Sequence, residues 1–147
     1  MEKEYITRSP EETERLGACL AEECKKDGPC FIALFGDLGA GKTAFVRGFA
    51  SVLAPNAKAK SPTYTVVNSY RGEPLPVYHF DFYRIEDEDE LYSIGFYDYL
   101  SSGVCIGEWS ENIRYAIPAG SRTVTIEKDK NHPNIRYIRF GVYGGEA

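Results

Sequence analysis

The stretch Gly36-Asp37-Leu38-Gly39-Ala40-Gly41-Lys42-Thr43 decides how the rest of this 147-residue chain can be interpreted. It matches G-x-x-x-x-G-K-[ST], the pattern of the phosphate-binding P-loop. Glycines let the backbone curl so that successive N–H groups point at one anion. We expect Lys42 to reach the β- and γ-phosphates of a nucleotide and the Thr43 hydroxyl to bind Mg²⁺. The eight residues are therefore predicted to form a nucleotide phosphate site.

The segments on either side of this stretch have the character that a P-loop requires. Residues 30–35 are an apolar run that predicts a buried strand. Residues 44–53 predict a helix, in which Phe45, Phe49 and Leu53 mark the apolar face. Because strand, glycine-rich loop and helix follow one another directly, a P-loop is favoured over a glycine-rich turn that carries Lys-Thr by chance.

Composition indicates an ordinary globular protein with one domain over residues 1–147. Hydrophobic residues make up 43% of the chain and charged residues 27%, and no apolar run is long enough for a membrane span. The net charge of −5 argues against direct, non-specific binding to nucleic acid. Four cysteines without a C-x-x-C pair and only two histidines argue against a zinc cluster. We expect reduced thiols and a cytoplasmic location, since the N-terminus lacks a signal-peptide core.

The remaining segments predict strands and helices that would complete an α/β domain. A helix should begin with Ser9 as its N-cap, Pro10 in its first turn and Glu12 closing a capping box. A second helical segment is expected over residues 91–100, with the acidic run 86–90 as its solvated first turn. Strands are predicted over residues 4–7, 63–70, 77–84, 103–107, 123–127 and 135–142. The predicted fold is a P-loop NTPase-like mixed sheet with a parallel core, antiparallel hairpins and flanking helices.

Two acidic residues are candidates to complete the site. Asp81 and Glu108 each lie near the carboxyl end of a predicted strand, the edge at which open α/β sheets bind ligands. A carboxylate in an otherwise apolar strand is costly to bury unless a cation compensates it. The alternatives are that Asp81 pairs with Arg84 and that Glu108 is an exposed strand-end acid. His79 is predicted to be a packed structural histidine. Trp109 taken alone is more typical of a core residue, but its neighbour Glu108 would place it within reach of the nucleotide pocket.

The chain resembles the TsaE (YjeE) family of small bacterial P-loop ATPases, which are needed for threonylcarbamoyladenosine modification of tRNA. The resemblance extends from the first helix to Glu111, with Tyr64 standing where many members have Phe. Its blocks, in chain order, are residues 36–43, Ser61-Pro62-Thr63-Tyr64, His79-Phe80-Asp81-Phe82-Tyr83-Arg84, Gly95-Phe96-Tyr97-Asp98-Tyr99-Leu100 and Glu108-Trp109-Ser110-Glu111. This ordered set is much more specific than the P-loop alone.

The resemblance implies ATP as substrate and Mg²⁺ as cofactor. It implies that Asp81 is a Walker-B-like acid and that Glu108 binds the metal or orients water, with Lys42 as the third catalytic residue. Ser61-Pro62-Thr63 would form a switch-like loop that senses the γ-phosphate. Thr13, at the start of the first helix, and the turn around His132 would approach the adenine.

The resemblance also implies partners, the TsaB and TsaD proteins, which carry out the transfer to tRNA. Members of the family hydrolyse ATP slowly alone and act through that complex, so contact with tRNA would be indirect.

Three alternative functions are compatible with a P-loop. A small-molecule kinase usually has an arginine-rich lid, whereas residues 85–102 are acidic and aromatic and contain no Arg. A GTPase is disfavoured because no Asn-Lys-x-Asp occurs and no Asp has Gly three positions later. A nucleotide-responsive regulatory subunit with negligible turnover is left open by the sequence.

Overall fold

The computed structural model describes residues 3–36, 40–57 and 66–144. The strands are β1 (Lys3–Thr7), β2 (Cys30–Phe35), β3 (Val67–Tyr70), β4 (Val77–Asp81), β5 (Val104–Glu108), β6 (Arg122–Lys128) and β7 (Arg136–Val142). The helices are α1 (Pro10–Cys24), α2 (Lys42–Leu53), α3 (Glu88–Ser93) and α4 (Phe96–Leu100), and a 3₁₀ segment covers Ser110–Ala116.

The seven strands form one mixed sheet in the order β1-β7-β6-β2-β5-β4-β3. Strands β6, β2, β5 and β4 run parallel and make up its centre. The pairs β1–β7, β6–β7 and β3–β4 are antiparallel. The predicted mixed α/β sheet with a parallel core and antiparallel hairpins is therefore confirmed, and the carboxyl ends of the parallel strands meet at one edge.

Helices α1 and α2 pack against each other on one face of the sheet, over buried side chains that include Leu20, Phe45 and Phe49. Gly17 and Gly48 permit this close approach. A Cβ atom at Gly48 would lie 1.8 Å from the backbone oxygen of Glu14, and one at Gly17 would lie 2.1 Å from that of Phe45. Because α2 begins at Lys42, this tight contact fixes the helix that carries the predicted phosphate-binding lysine.

The opposite face is covered by an aromatic cluster built around Phe31, Phe80, Phe82 and Phe96. The single helix predicted over residues 91–100 is wrong, because the structure has two short helices, α3 and α4. Gly95, with a φ of 78°, separates them, since a left-handed residue cannot continue an α-helix. The acidic run does form the first turn of α3, where Asp87 accepts the N–H of Glu90 at 3.0 Å.

Other local predictions differ in detail. The strand predicted over residues 77–84 ends at Asp81. Strand β3 (Val67–Tyr70) lies within the strand predicted over 63–70, of which residues 63–65 lie outside the described residues. Ser9 caps α1 as predicted, accepting the N–H of Glu12 at 3.1 Å. The Glu12 carboxylate binds the N–H of Arg8 instead of completing a capping box with Ser9. The predictions for Asp37, Leu38 and Gly39 and for the loop Ser61-Pro62-Thr63 concern residues that lie outside the described ranges.

All four cysteines are free. Among the described residues, no helix has both the length and the apolar character that crossing a membrane requires.

Candidate functional site

Lys42 opens α2 with its side chain folded back over the start of the predicted P-loop. The residue is only 4% exposed, and its ammonium donates to the carbonyl oxygen of Gly36 at 2.6 Å. The same ammonium lies 4.1 Å from the ring centroid of Trp109. A cation over an indole ring is attracted by the ring quadrupole. The protein's own groups therefore hold the lysine side chain at the carboxyl end of β2.

Asp81 and Glu108 are brought together at the same edge of the sheet. They are paired in register on the parallel strands β4 and β5, each at the last residue of its strand. Side chains alternate along a strand. Val77 and Ile106 belong to the core under α1 and α2, so Asp81 and Glu108 share that face with the helix that begins at Lys42. The structure thus places the two predicted acids on the lysine's side of the sheet.

Asp81 is partly exposed, and burial raises the pKa of its carboxyl above the usual value. The charge of Glu108 acts in the same direction, whereas His79 and Lys42 favour the ionised form. Among the described residues Asp81 has no ion pair with Arg84, and its carboxylate accepts the N–H of Tyr83 at 3.0 Å. Two neighbouring carboxylates with a raised pKa on one of them form a pair that a divalent cation would stabilise.

Glu108 is buried with only 6% of its surface exposed, so the alternative of an exposed strand-end acid is wrong. Its Oε2 lies 2.5 Å from Nε2 of His79, which is 1% exposed. His79 is therefore packed, as predicted, and it also contacts a predicted catalytic acid. The sequence signal for this contact is the period of two that puts His79 and Asp81 on one face of β4.

Trp109 follows β5 directly and is the one non-glycine residue with a positive φ, 60°, in the part of the chain that the structure describes. A non-glycine residue with this backbone conformation lowers the folding stability by of order 1–3 kcal/mol. It persists only where the surrounding contacts hold the residue in place. The contacts here are the Lys42 ammonium and the ring of Tyr83, at 5.0 Å between centroids. The strained turn presents the indole to the lysine.

The two residues expected near the adenine differ in their surroundings. Thr13 is 2% exposed, and its hydroxyl is hydrogen-bonded to that of Thr7 at 2.7 Å. His132 is exposed in the turn after β6, where its N–H binds the carboxylate of Asp129. Arg136 joins this turn to the P-loop, since its Nε donates to the Ala40 oxygen at 2.9 Å and Nη1 to Pro133 at 2.6 Å. Neither predicted adenine residue contacts the cluster around Lys42 directly in the contacts that the structure gives.

Glu111 was not predicted as a site residue. Its Oε2 accepts the N–H of Gly36 at 2.9 Å, and its Oε1 is buried without a hydrogen-bond partner in the structure. A groove of about 760 Å³ opens next to it, between the 3₁₀ segment and strands β6 and β7. The available sequence signal was its place at the end of the block from Glu108 to Glu111.

The oxygen donors available at this edge suit Mg²⁺. In the described part of the chain no three His, Cys, Asp or Glu residues come together as a metal cluster. Mg²⁺ is usually bound through one or two carboxylates together with substrate phosphates, and not by an all-protein cage. The oxygen ligands that Mg²⁺ prefers are offered here by the carboxylates of Asp81 and Glu108 and by the hydroxyl of Thr43, the second residue of α2.

The fold and the site together place this chain in the class of P-loop-like α/β domains. The features of that class are a sheet with a parallel centre, a helix that starts at the lysine of a P-loop sequence, and two acids at the carboxyl edge. The chain belongs to the TsaE family within that class. The family model described as "Threonylcarbamoyl adenosine biosynthesis protein TsaE" matches residues 7–138. The resemblance identified from the sequence blocks is thereby confirmed.

Curated relatives and a solved structure agree with this assignment. The chain is similar to the tRNA threonylcarbamoyladenosine biosynthesis protein TsaE of Bacillus subtilis, with 38% identity covering 84% of this chain and 77% of the relative. It is 39% identical to the protein of the same name from Haemophilus influenzae, over 73% of this chain and 68% of the relative. The crystal structure of Bacillus subtilis YdiB has a TM-score of 0.77 and 30% identity, covering 98% of this chain and 87% of that one.

Proposed function

We propose that this protein binds Mg²⁺ and ATP, hydrolyses ATP slowly on its own and acts with the TsaB and TsaD proteins in threonylcarbamoyladenosine modification of tRNA. Membership of the TsaE family supports the role in tRNA modification. The observation that carries the ATP proposal is the position of the Lys42 ammonium, held on the Gly36 carbonyl on the same side of the sheet as Asp81 and Glu108.

Each residue has a role that follows from its chemistry. The backbone N–H groups of the P-loop and the N-terminus of α2 would bind the phosphates, and Lys42 would neutralise the β- and γ-phosphate charge. Mg²⁺, held by Thr43 and Asp81, would neutralise the charge that develops on the phosphate oxygens. Glu108 would orient the attacking water, with its carboxylate fixed by His79.

A second function is favoured by one observation. Oε2 of Glu108 is already hydrogen-bonded to buried His79, which reduces the acceptor capacity that the carboxylate has left for water or metal. A protein in this state would bind nucleotide and change its affinity for partners with negligible turnover. The two candidates differ in whether hydrolysis accompanies the partner interaction.

Intrinsic fluorescence tests nucleotide binding, because Trp109 is the only tryptophan and contacts Lys42. We expect ATP or ADP with Mg²⁺ to change the emission and GTP to change it much less. Equal responses to both bases would contradict the adenine assignment.

Steady-state ATPase turnover should then be measured with and without the TsaB–TsaD pair. We expect the pair to raise the rate and Glu108→Ala to retain ATP binding but lose turnover. Normal stimulated hydrolysis in Glu108→Ala would exclude the role given to Glu108. Binding without any turnover in the presence of the pair would select the regulatory function.

A further inference from the structure

The turn that follows β5 holds the carboxyl ends of three strands. The Ser110 hydroxyl donates to the oxygen of Gly107 in β5 at 2.9 Å. Glu111 accepts the N–H of Gly36, directly after β2, and the Asn112 amide donates to the Phe82 oxygen, directly after β4, at 2.9 Å. Strands β4 and β5 end at the acids Asp81 and Glu108, and β2 is followed by Gly36, whose carbonyl accepts the Lys42 ammonium.

Gly36 is held on both of its polar groups. Glu111 Oε2 accepts its N–H at 2.9 Å, and its carbonyl accepts the Lys42 ammonium at 2.6 Å. A side chain would not fit at this position, since a Cβ atom would lie 2.4 Å from the Ile126 oxygen and the φ of 143° favours glycine. Through these two hydrogen bonds Gly36 connects the Glu111 carboxylate to the Lys42 ammonium.

The same turn also reaches the ammonium directly, through the ring of Trp109 at 4.1 Å. Within the described residues Glu111 forms no ion pair, and the hydrogen bond that its carboxylate accepts there is the one from the Gly36 N–H.

We infer that Glu111 is a positioning residue that acts on Lys42 through Gly36, setting the ammonium where the phosphates of the nucleotide are bound. This inference rests on the proposed ATP binding only for its functional consequence. The fixed geometry of Gly36 and Lys42 is a property of the protein without nucleotide. A purely structural role would hold the fold together without affecting the ammonium.

Three substitutions of Glu111 distinguish the effect of the side chain's length from the effect of its charge. Glu111→Gln keeps an acceptor oxygen at the same distance, Glu111→Asp keeps the charge but is one methylene too short, and Glu111→Ala removes the group. We expect Gln to bind Mg²⁺·ATP within about threefold of wild type, and Asp and Ala to bind about tenfold more weakly or worse. Asn112→Ala removes another bond from the same turn and should lower the melting temperature without a tenfold loss of affinity.

Two readouts need no nucleotide. The Gly36 amide should exchange slowly with solvent, measured by NMR, in wild type and Glu111→Gln, and fast in Glu111→Asp. The emission of Trp109 in the unliganded protein should shift in Glu111→Asp towards that of Lys42→Ala, since both disturb the lysine–indole contact. If Glu111→Ala fails to fold, the Asp and Gln variants carry the test.

The inference is overturned if Glu111→Asp keeps wild-type ATP affinity, a protected Gly36 amide or wild-type Trp109 emission. Failure of wild type to bind any nucleotide would instead remove the proposed function. The amide and emission measurements would in that case still decide whether Glu111 positions Lys42.

Discussion

His79 Nε2 and Glu108 Oε2 are 2.5 Å apart across the neighbouring parallel strands β4 and β5. Both side chains are buried, with 1% and 6% of their surfaces exposed. A buried carboxylate needs a partner because removing it from water is expensive. The contact therefore links the stability of the sheet to the orientation of the acid proposed to act on water.

Replacing His79 by Ala should leave the Glu108 carboxylate buried without this partner. Leaving a buried hydrogen-bonding group without its partner costs about 1–3 kcal/mol, and more for a charged group. For a domain of this size we expect the melting temperature to fall by about 5–10 °C. Thermal and urea unfolding followed by circular dichroism would measure it.

His132→Ala is the matched control, since His132 is exposed in the turn after β6 and should change stability by less than about 0.5 kcal/mol. The double variant His79→Ala with Glu108→Gln should recover part of the loss, because the uncompensated charge is gone. Equal stabilities of wild type and His79→Ala would contradict the role given to the pair.

Asp81→Asn should stabilise the unliganded protein at neutral pH. Burial raises the pKa of Asp81 in the folded state, so the folded protein favours the protonated form and loses stability as pH rises through that pKa. Asn removes the charge and can still accept the Tyr83 N–H. The melting temperature should exceed that of wild type at pH 7, and the difference should vanish well below the ordinary value of 3.8.

The same variant should bind Mg²⁺·ATP more weakly, since it lacks a proposed metal ligand. Asp98→Asn, an exposed change on α4, should alter neither property. An Asp81→Asn protein that is less stable than wild type at pH 7 would show that the Asp81 carboxylate is well solvated or compensated.

The sequence predicted the sheet and the acids better than it predicted their contacts. The period of two in β4 and the apolar run of β2 report backbone geometry directly, so the strands could be assigned from local residues. The contact of Glu108 with His79 depends on the parallel register of β4 and β5, which neither strand encodes alone. The break at Gly95 was missed because the flanking residues 91–100 suit a helix on either side of it.

Glu111 illustrates the same limit. Its partner Gly36 is 75 residues away in the chain, and no local pattern distinguishes a carboxylate that binds a backbone N–H from one that is solvated. The burial of Thr13 against Thr7 was likewise invisible, since it results from the packing of α1 near the edge strand β1.

Gly48→Ala should be strongly destabilising, against the usual preference of helices for alanine. In an exposed helix interior this change would gain up to about 1 kcal/mol. Here the added Cβ would lie 1.8 Å from the Glu14 backbone oxygen, so α1 and α2 must move apart. We expect a net loss of about 2 kcal/mol or more in urea unfolding.

Arg47→Ala changes the neighbouring exposed position of α2 and removes only a surface ion pair with Glu14, so it should cost less than about 1 kcal/mol. A stabilised Gly48→Ala protein would show that helix propensity, and not the helix contact, governs this position.

Lys42→Ala should abolish nucleotide binding while leaving the fold intact. The ammonium contacts the Gly36 carbonyl and the Trp109 ring at the carboxyl edge of the sheet, outside the two hydrophobic cores that hold the fold together. We expect ATP affinity to fall by at least about 100-fold, because a charged contact to the phosphates is lost. The circular dichroism spectrum should match that of wild type, and the emission of unliganded Trp109 should change. Lys25→Ala, at an exposed site after α1, is the control with unchanged affinity. Wild-type ATP affinity in Lys42→Ala would rule out the P-loop as the phosphate site.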